Sequence, residues 1–278
     1  MQIGCIGQGW VGKHYSDEFE KRGYSVVRYA LEEPHVHNKE AISTCDIVFI
    51  AVPTPTTPAG FDASRVRAVL PLLKEGSIAV IKSTILPGTT ELLQREFPHL
   101  FVLHAPEFLV ESTAAHDAAH PNRNIVGIPL DTGEYRQKAQ MVLDVLPQAP
   151  YVTIMAARDA ELVKYAGNCF LFTKVIFTNL LYDLVAATGG DWAGVREALV
   201  HDPRIGPSHT TPVHQSGRGA GGDCFIKDFE AFRRMYHTEV GDQSGDVVLA
   251  ALRDKNNSLL TNSGKDLELL RSVYGDAV

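Results

Sequence analysis

The sequence predicts an α/β protein in which a doubly wound parallel sheet is followed by an all-helical region with one long central helix. Three observations predict this fold. Short apolar strands alternate with helical segments through the first half of the chain, glycines follow the first strand at a spacing typical of nucleotide-binding loops, and strands stop after about residue 155. We therefore expect two domains, a dinucleotide-binding domain over residues 1–154 and a helical dimerisation domain over residues 155–278.

The elements follow from local patterns in chain order. Short apolar runs bounded by turn residues predict strands over residues 2–7, 25–30, 46–52, 77–82, 100–103, 124–129 and 151–154. Amphipathic spacing predicts helices over residues 11–22, 62–73, 89–96, 134–146, 159–188, 192–199, 228–236, 245–260 and 264–274. The segment 159–188 is apolar on most faces, which predicts a helix buried against other elements or against a second subunit.

Composition limits the classes of function. The 278 residues are 45% hydrophobic, which is enough for a sizeable core, and the formal net charge of -7 with no basic block argues against nucleic acid and anionic membranes as partners. The four cysteines form no Cys-x-x-Cys pair, and the N-terminus opens on a strand and not on a signal peptide, so we expect a cytoplasmic protein. Polar residues interrupt the long apolar segment, which makes it a poor membrane span. His35 and His37 lack further ligands nearby, and no metal site is predicted.

The first motif is Gly7-x-Gly9-x-x-Gly12, which also includes Trp10 and Val11. It follows a strand and opens a helix, as in the Rossmann dinucleotide-binding unit, where backbone N–H groups approach a pyrophosphate at the helix N-terminus. The acidic residue that usually binds the ribose should lie about 20 residues later. The residue at that position is Ala30, followed by Glu32 and Glu33, and Arg28 lies nearby. The choice between NAD and NADP therefore stays open.

Two later strand ends carry hydroxyl groups. Val52-Pro53-Thr54 follows one strand, and Ser83-Thr84 follows the next. Because ligands of doubly wound sheets lie beyond the carboxyl ends of the strands, these hydroxyls are candidates for contact with a ribose or a nicotinamide. The alternative is that both segments are simple turns.

Two pairs of residues at a spacing of four suggest proton transfer and oxyanion binding. Glu107 and Glu111 would share one face if their segment were helical, although such a pair is more often a solvated surface. Lys164 and Asn168 share a face of the long apolar helix, where an ammonium and an amide could bind a developing alkoxide. The alternative is that Lys164 simply pairs with Glu161.

Cys224 is the most informative residue. It follows a run of glycines and precedes Lys227 and Asp228, an arrangement that suggests an activated thiolate beside a charged pair. A nucleophilic thiol together with a dinucleotide site indicates a dehydrogenase that holds its substrate covalently. Such an enzyme can oxidise an alcohol past the aldehyde to the acid.

Seven sequence runs together resemble the UDP-glucose/GDP-mannose dehydrogenase family, in the family's order and between residue 1 and about residue 257. The runs are GQGWVG, VPTPT, STILPGTT, PEFLVEST, AELVKYAGN, DPRIG and GAGGDCFIKD. The resemblance implies a homodimeric, NAD(P)-dependent, four-electron oxidation of the primary alcohol of a sugar or nucleotide sugar to a carboxylate, through a thiohemiacetal and a thioester on Cys224.

The resemblance also assigns roles. Lys164 and Asn168 would stabilise oxyanions, Asp228 and Thr84 would hold the catalytic water, and Glu107 would assist proton transfer. The expected cofactor contacts are Gly7, Gly9, Trp10, Val11, Gly12, Val52, Pro53, Thr54, Ser83, Thr84, Glu111 and Lys227. The expected substrate contacts are Glu107, Phe108, Leu109, Lys164, Asn168, Arg204 and Gly219, with Arg204 reaching the substrate across the dimer interface.

Several departures from the family pattern leave alternatives open. The family has a third domain that holds the nucleotide of the substrate, and we expect it to be absent here or supplied by a separate chain. Ala105, Ala220 and Asp223 replace residues typical of the family, and residues 31–43 form a shorter segment than usual. One alternative is a single-hydride dehydrogenase of the hydroxyacid type, which has no need of Cys224. The other is a non-catalytic nucleotide-binding or partner module.

Overall fold

The computed structural model describes residues 1–276 and divides into two compact units. The first unit comprises Met1–Thr54 and Asp62–Lys164, and the second comprises Pro55–Phe61 and the chain from Tyr165 onward. This division falls about ten residues after the expected boundary, and the domain limits themselves stay a prediction.

The strands of the main sheet and most of the longer helices lie close to the predicted positions. The strands are β1 (Ile3–Ile6), β2 (Val26–Tyr29), β3 (Ile47–Ile50), β4 (Thr56–Thr57), β5 (Gly60–Phe61), β6 (Ile78–Ile81), β7 (Phe101–His104), β8 (Arg123–Ile128), β9 (Tyr151–Ala156), β10 (Val213–His214) and β11 (Gly217–Arg218). The helices are α1 (Trp10–Lys21), α2 (Lys39–Ile42), α3 (Ser64–Val69), α4 (Thr89–Glu96), α5 (Ala114–Ala119), α6 (Gly133–Val145), α7 (Ala157–Ala187), α8 (Trp192–Val200), α9 (Gly222–Glu239), α10 (Gln243–Ser263) and α11 (Leu267–Tyr274). Of these elements, α2, α5, β4, β5, β10 and β11 were not predicted.

The first unit is built on a seven-stranded sheet in the order β2-β1-β3-β6-β7-β8-β9. The chain runs from β1 to β2 on one side and then returns to place β3 on the other side of β1. In such a doubly wound sheet a ligand crevice forms where the strand order reverses, beyond the carboxyl ends of β1 and β3. The predicted Rossmann-type fold is confirmed.

The sheet differs from the prediction at one pair of strands, because β8 runs antiparallel to β7. A parallel neighbour requires a crossover of a dozen or more residues, usually a full helix packed on the sheet. The connection from β7 to β8 has enough residues for such a crossover, but its helical parts are only a short 3-10 turn and the six-residue helix α5. The sheet is therefore mixed at its far edge.

Burial explains why the central strands form. Every residue of β1, β3 and β6 is buried, as expected of parallel strands covered by helices on both faces. Helix α1 packs on one face through Phe19, whose ring centroid lies 4.8 Å from that of Phe49 on β3. This packing holds α1 against the sheet, and the glycine-rich loop joins the helix to β1.

The second unit is mainly helical, with α7 and α9 packed through the stacked rings of Phe172 and Phe229, whose centroids are 3.9 Å apart. The expected all-helical region also contains the small hairpin β10–β11, and another small hairpin, β4–β5, lies within the expected dinucleotide-binding region but belongs to the second unit. By length and composition alone α7 could cross a membrane, but core helices of soluble proteins meet the same criterion, and α7 contains the buried polar residues Glu161, Lys164 and Asn179.

Candidate active site

The loop between β1 and α1 is shaped to receive a phosphate. Gly7 has a φ of 87°, and a side-chain carbon there would collide with the carbonyl oxygen of Ala51. A side-chain carbon at Gly12 would collide with the carbonyl oxygen of Gly7, whereas none of the described residues has an atom within 4 Å of the corresponding position at Gly9. Packing thus requires two of the glycines, and the third leaves the backbone open to a ligand.

The first turn of α1 completes this anion site. Gly9 is the N-cap of the helix and supplies no side-chain hydrogen bond, so the first backbone N–H groups of α1 remain available. Trp10 is partly exposed, and Val11 packs against the core. A helix N-terminus of this kind favours a pyrophosphate, so these residues fit a bound NAD.

The surroundings of β2 favour NAD over NADP. Arg28, which lies near the expected ribose-binding residue in the sequence, lies 2.7 Å from Asp17 and donates twice to Glu20, at 2.9 and 2.6 Å. Two carboxylates therefore already neutralise the guanidinium that could have bound a 2′-phosphate.

The two hydroxyl-bearing loops bind each other. The Ser83 hydroxyl donates to the carbonyl oxygen of Val52 at 2.6 Å, and the Thr54 hydroxyl donates to the carbonyl oxygen of Thr84 at 2.7 Å. Pro53 lies exposed between these contacts. The hydroxyl protons are therefore used to brace the loops, and only the oxygen lone pairs remain to accept a bond from a cofactor.

Lys164 and Glu107 form a buried ion pair. The Lys164 Nζ lies 2.7 Å from Glu107 Oε1, and the two side chains are only 6% and 8% exposed. The other oxygen of Glu107 accepts a hydrogen bond from the backbone N–H of Leu109 at 2.8 Å. The ring of Phe108 lies on the same side, 5.9 Å from the Lys164 Nζ. Four of the predicted substrate residues are thus brought together in the first unit.

The possibility that Glu107 and Glu111 share one helical face is wrong. Residues 105–110 form no helix, Glu107 is buried and Glu111 is exposed at the start of a 3-10 turn.

The alternative pairing of Lys164 with Glu161 is also wrong. Glu161 accepts hydrogen bonds from the backbone N–H groups of Gly88, at 2.6 Å, and Thr90, at 2.9 Å, and from the Thr90 hydroxyl at 2.6 Å. Burial raises the pKa of Glu161 to about 7, although these hydrogen bonds act in the opposite direction. Glu161 therefore ties α7 to the N-terminus of α4 and leaves Lys164 to Glu107.

Two buried titratable groups in the same unit were missed by sequence reasoning. Lys82 follows β6 directly, and its Nζ lies 4.1 Å from the ring centroid of Tyr15. Burial lowers the pKa of Lys82 to about 7. His104 ends β7, and within the described residues neither of its ring nitrogens has a hydrogen-bond partner. Burial lowers its pKa to about 3, so the ring is neutral. Both residues could have been identified from the sequence, because each is a titratable residue at the carboxyl end of an apolar strand.

In the second unit, Cys224 lies in the first turn of α9. The predicted helix began at residue 228, but α9 begins at Gly222, so Cys224 is its third residue and its side chain is exposed. The glycines before it suggested a loop, yet Gly221 serves as the N-cap and supplies no side-chain bond. A thiol at this position faces the positive end of the helix dipole, which favours the thiolate.

One turn later, Asp228 is held from two sides. Its carboxylate is almost fully buried and accepts a hydrogen bond from the Asn168 amide at 2.6 Å, while the Lys227 Nζ lies 2.6 Å from its other oxygen. Burial raises the pKa of the neighbouring Cys169 thiol, which donates weakly to the Asp228 carbonyl at 3.9 Å. Between the exposed Cys224 and the buried Cys169, Cys169 is therefore the thiol disfavoured as a nucleophile.

The remaining predicted substrate residues are Arg204 and Gly219. Arg204 has an 88% exposed side chain that is paired with Asp202, and its loop is held by Lys174, whose Nζ donates to the carbonyl oxygen of Ile205 at 2.7 Å. The carbonyl oxygen of Gly219 accepts a hydrogen bond from a buried lysine. No cluster of three or more metal-ligating side chains occurs in the described part of the chain.

Two family models match the chain. Residues 31–142 match the NAD binding domain of the UDP-glucose/GDP-mannose dehydrogenase family, and residues 158–257 match the central domain of the same family. Together the two matches span well over half of the sequence.

Individual relatives agree with these models. The UDP-glucose 6-dehydrogenase of Pseudomonas aeruginosa is 34% identical over 252 residues, which are 85% of this chain and 52% of that protein. UDP-glucose 6-dehydrogenase YwqF of Bacillus subtilis is 28% identical over 326 residues, covering 100% of this chain and 71% of that protein. The chain spans about half the length of several curated relatives it matches.

Solved structures give the same picture. A UDP-glucose dehydrogenase from Pyrobaculum islandicum matches with a TM-score of 0.79 and 29% identity, over 92% of this chain and 68% of that one. A 3-hydroxyisobutyrate dehydrogenase from Mycobacterium tuberculosis matches over 100% of both chains with a TM-score of 0.72, but at 16% identity it shows the fold alone.

Proposed function

The chain belongs to the UDP-glucose/GDP-mannose dehydrogenase family, and we propose that it oxidises the primary alcohol of a sugar or nucleotide sugar to a carboxylate with NAD. The observation that carries the proposal is the place of Cys224 in the first turn of α9, one turn before the Asn168–Asp228–Lys227 array. A structural cysteine would be buried, as the other three cysteines are.

The proposed chemistry divides between the cofactor and the chain. When bound, NAD accepts a hydride in each of two successive oxidations. Gly7, Gly9 and Gly12 hold its pyrophosphate through backbone N–H groups. One primary alcohol and one water give one carboxylate, two hydrides and three protons, and the Cys224 thiolate is regenerated.

The first oxidation requires a proton acceptor. Glu107 and Lys164 form a buried ion pair, so a proton released by the substrate hydroxyl can move to this pair without entering bulk water. Loss of that proton and of a hydride leaves an aldehyde.

The second oxidation is covalent. The Cys224 thiolate attacks the aldehyde carbon, and a carbon–sulfur bond forms as the carbonyl oxygen becomes an alkoxide. Lys164 and Asn168 stabilise this charge as hydrogen-bond donors. Loss of the second hydride gives a thioester, and water held by Asp228 and Thr84 attacks it, breaks the carbon–sulfur bond and releases the acid.

A Cys224→Ser variant tests the proposal. We expect carboxylate formation to fall by a factor of at least about 10³ because the nucleophile is lost, while NAD binding measured by calorimetry stays unchanged. Cys45→Ser is the matched control, since the Cys45 thiol lies 3.7 Å from the carbonyl oxygen of Ala41, a bond that a hydroxyl can also make. Carboxylate production by Cys224→Ser at the parent rate would remove the covalent mechanism.

A single-hydride dehydrogenase of the hydroxyacid type is the second candidate. The fold match over complete chains and the buried Lys164 are compatible with it. Counting NADH per substrate across UDP-sugars, GDP-sugars and simple sugars separates the two, since the covalent mechanism requires two and the alternative requires one.

We also propose a cytoplasmic homodimer. The exposed face of α7 carries Phe170, Phe177 and Leu184 at a spacing of seven residues, and their side chains are 70%, 59% and 60% exposed. Such a stripe of apolar side chains on one helix face is typical of a surface that another subunit covers. The buried thiols of Cys5, Cys45 and Cys169 suit a reducing compartment.

A further inference from the structure

The glycine-rich loop that leads into α9 is bonded by side chains from the end of α10 and from the turn that follows it. Asn256 on α10 is 1% exposed and makes a reciprocal pair with Ala220. Its Oδ1 accepts from the Ala220 N–H at 2.7 Å, and its Nδ2 donates to the Ala220 carbonyl at 3.0 Å. A single buried amide thus satisfies both backbone groups of this residue.

Two further side chains bind Gly219 and Gly222, which lie before and after Ala220 in the loop. Lys265 is 4% exposed, and its Nζ donates to the carbonyl oxygen of Gly219 at 3.1 Å. The Asp266 carboxylate accepts from the N–H of Gly222 at 2.9 Å. Burial lowers the pKa of Lys265, although the neighbouring Asp266 opposes this shift. The buried contact of Lys265 is therefore made at an electrostatic cost that a surface lysine would avoid.

Asp266 adopts an unusual conformation to make its contact. Its φ is 53°, in the left-handed region that non-glycine residues rarely adopt. It is the N-cap of α11, yet it makes no capping bond to its own helix. An N-cap aspartate normally accepts from the first turn of the helix it begins. Here the carboxylate is directed to the first residue of α9 instead.

The space around Gly221 is occupied by the side chains of Asp266 and Lys265. A side-chain carbon at Gly221 would collide with the Asp266 carboxylate and would lie 2.9 Å from Lys265 Cε. The two side chains therefore cross the loop directly over this position. Glycine is needed there because of this close approach and not because of a positive φ.

We propose that Asn256, Lys265 and Asp266 are positioning residues for Cys224. They fix three of the four residues that precede Asp223 and so set the direction in which α9 begins. Because Cys224 is only two residues after Gly222, movement of this loop would turn its sulfur away from the first backbone N–H groups of the helix. Lys265 and Asp266 lie beyond the stretch that matches the central-domain model. The inference rests on the proposed nucleophilic role of Cys224.

The test compares Lys265→Met with Lys255→Met in the full-length protein. Methionine preserves the length of the side chain and removes the ammonium. Lys255 lies on the same helix as Asn256, but its Nζ lies 3.6 Å from Asp183 and makes no hydrogen bond to the loop. The measurement is the rate of Cys224 alkylation by iodoacetamide against pH, followed by peptide mass spectrometry.

We expect Lys265→Met to alkylate at least about fivefold more slowly at neutral pH, with its pH profile displaced upward, because less of the thiol is present as thiolate. Lys255→Met should follow the parent profile, and both variants should bind NAD as the parent does. An unchanged profile in folded Lys265→Met would overturn the assignment.

If Lys265→Met fails to fold, Asp266→Gly and Asp266→Asn provide the second comparison. Both replacements tolerate a positive φ, but only asparagine keeps an oxygen that can accept from Gly222. We expect asparagine to keep the parent alkylation profile and glycine to lose it, and equal profiles for the two would refute the positioning role. Alkylation needs no sugar substrate, so absence of NADH formation would count against the proposed function and leave this result intact.

Discussion

Removing one partner of the buried Glu107–Lys164 pair should destabilise the first unit strongly. Glu107→Gln keeps the shape of the side chain and one oxygen for the Leu109 N–H, but it presents either an amide or a neutral oxygen to the Lys164 ammonium. Both partners are more than nine-tenths buried and 2.7 Å apart, so little water can replace the lost carboxylate. Breaking such a pair costs about 3–5 kcal/mol. We expect a value near 3 kcal/mol, because the Leu109 contact can survive.

Thermal unfolding followed by circular dichroism measures this loss. For a unit of this size each kcal/mol lowers Tm by roughly 2–4 °C, so Glu107→Gln should lower Tm by roughly 6–12 °C. The double variant Glu107→Gln/Lys164→Met no longer has an uncompensated ammonium. It should therefore be more stable than the sum of the single variants predicts, by at least about 1 kcal/mol. Glu107→Gln, Lys164→Met and the double variant should all fail to form carboxylate, since both groups are proposed to act in catalysis.

Two results would refute this reasoning. A change in Tm of less than about 2 °C in Glu107→Gln would mean that solvent reaches the pair and screens it. Additive losses in the double variant would mean that the two side chains are not energetically coupled. If the double variant regained carboxylate formation as well as stability, Glu107 and Lys164 would have a structural role but no role in the proposed chemistry.

Two further predictions concern α7. Glu161 has a raised pKa of about 7 in the folded protein against an ordinary value of 4.5, so its contribution to stability is present below about pH 4.5 and is lost as the pH rises through 7. Over that range the parent should lose roughly 3 kcal/mol relative to Glu161→Gln in urea unfolding, and a difference that does not change with pH would contradict the burial argument. Sedimentation should show a dimer at micromolar concentration that Phe177→Asp converts to a monomer, because a charge on this apolar face opposes association. A monomeric parent would contradict the proposed interface.

The sequence was sufficient to predict the strands of the sheet, because local patterns carry that information. The buried strands read as continuous apolar runs, and the glycine spacing gave the place of the first loop. The direction of β8 could not be read in this way, since strand direction depends on how the chain packs after β7. The apolar run of β8 would look the same in either direction.

The sequence identified several residues of the candidate site, but it did not identify the residues that they contact. Cys224 and Asp228 were identified from their spacing, yet the start of α9 at Gly222 was missed because consecutive glycines usually indicate a loop. The alternative considered for Lys164 was a pair with Glu161, its neighbour on α7, but its partner is Glu107, which follows a distant strand end. Lys82 and His104 showed no motif at all. The surroundings of these residues depend on contacts between distant segments, which local sequence patterns do not show.

The register of α7 is the feature on which the position of Lys164 depends. At Gly127 on β8 a side-chain carbon would lie 2.8 Å from both Ala157 and Ala160, so the start of α7 packs directly on the strand backbone. Glu161 then fixes the next part of the helix to α4, and Lys164 follows one turn after Ala160 on the same face. A slip of one residue would rotate each of these side chains by about 100° and break all the contacts together. The helix therefore has a single register, and the buried ion pair is a consequence of backbone packing set several residues before it.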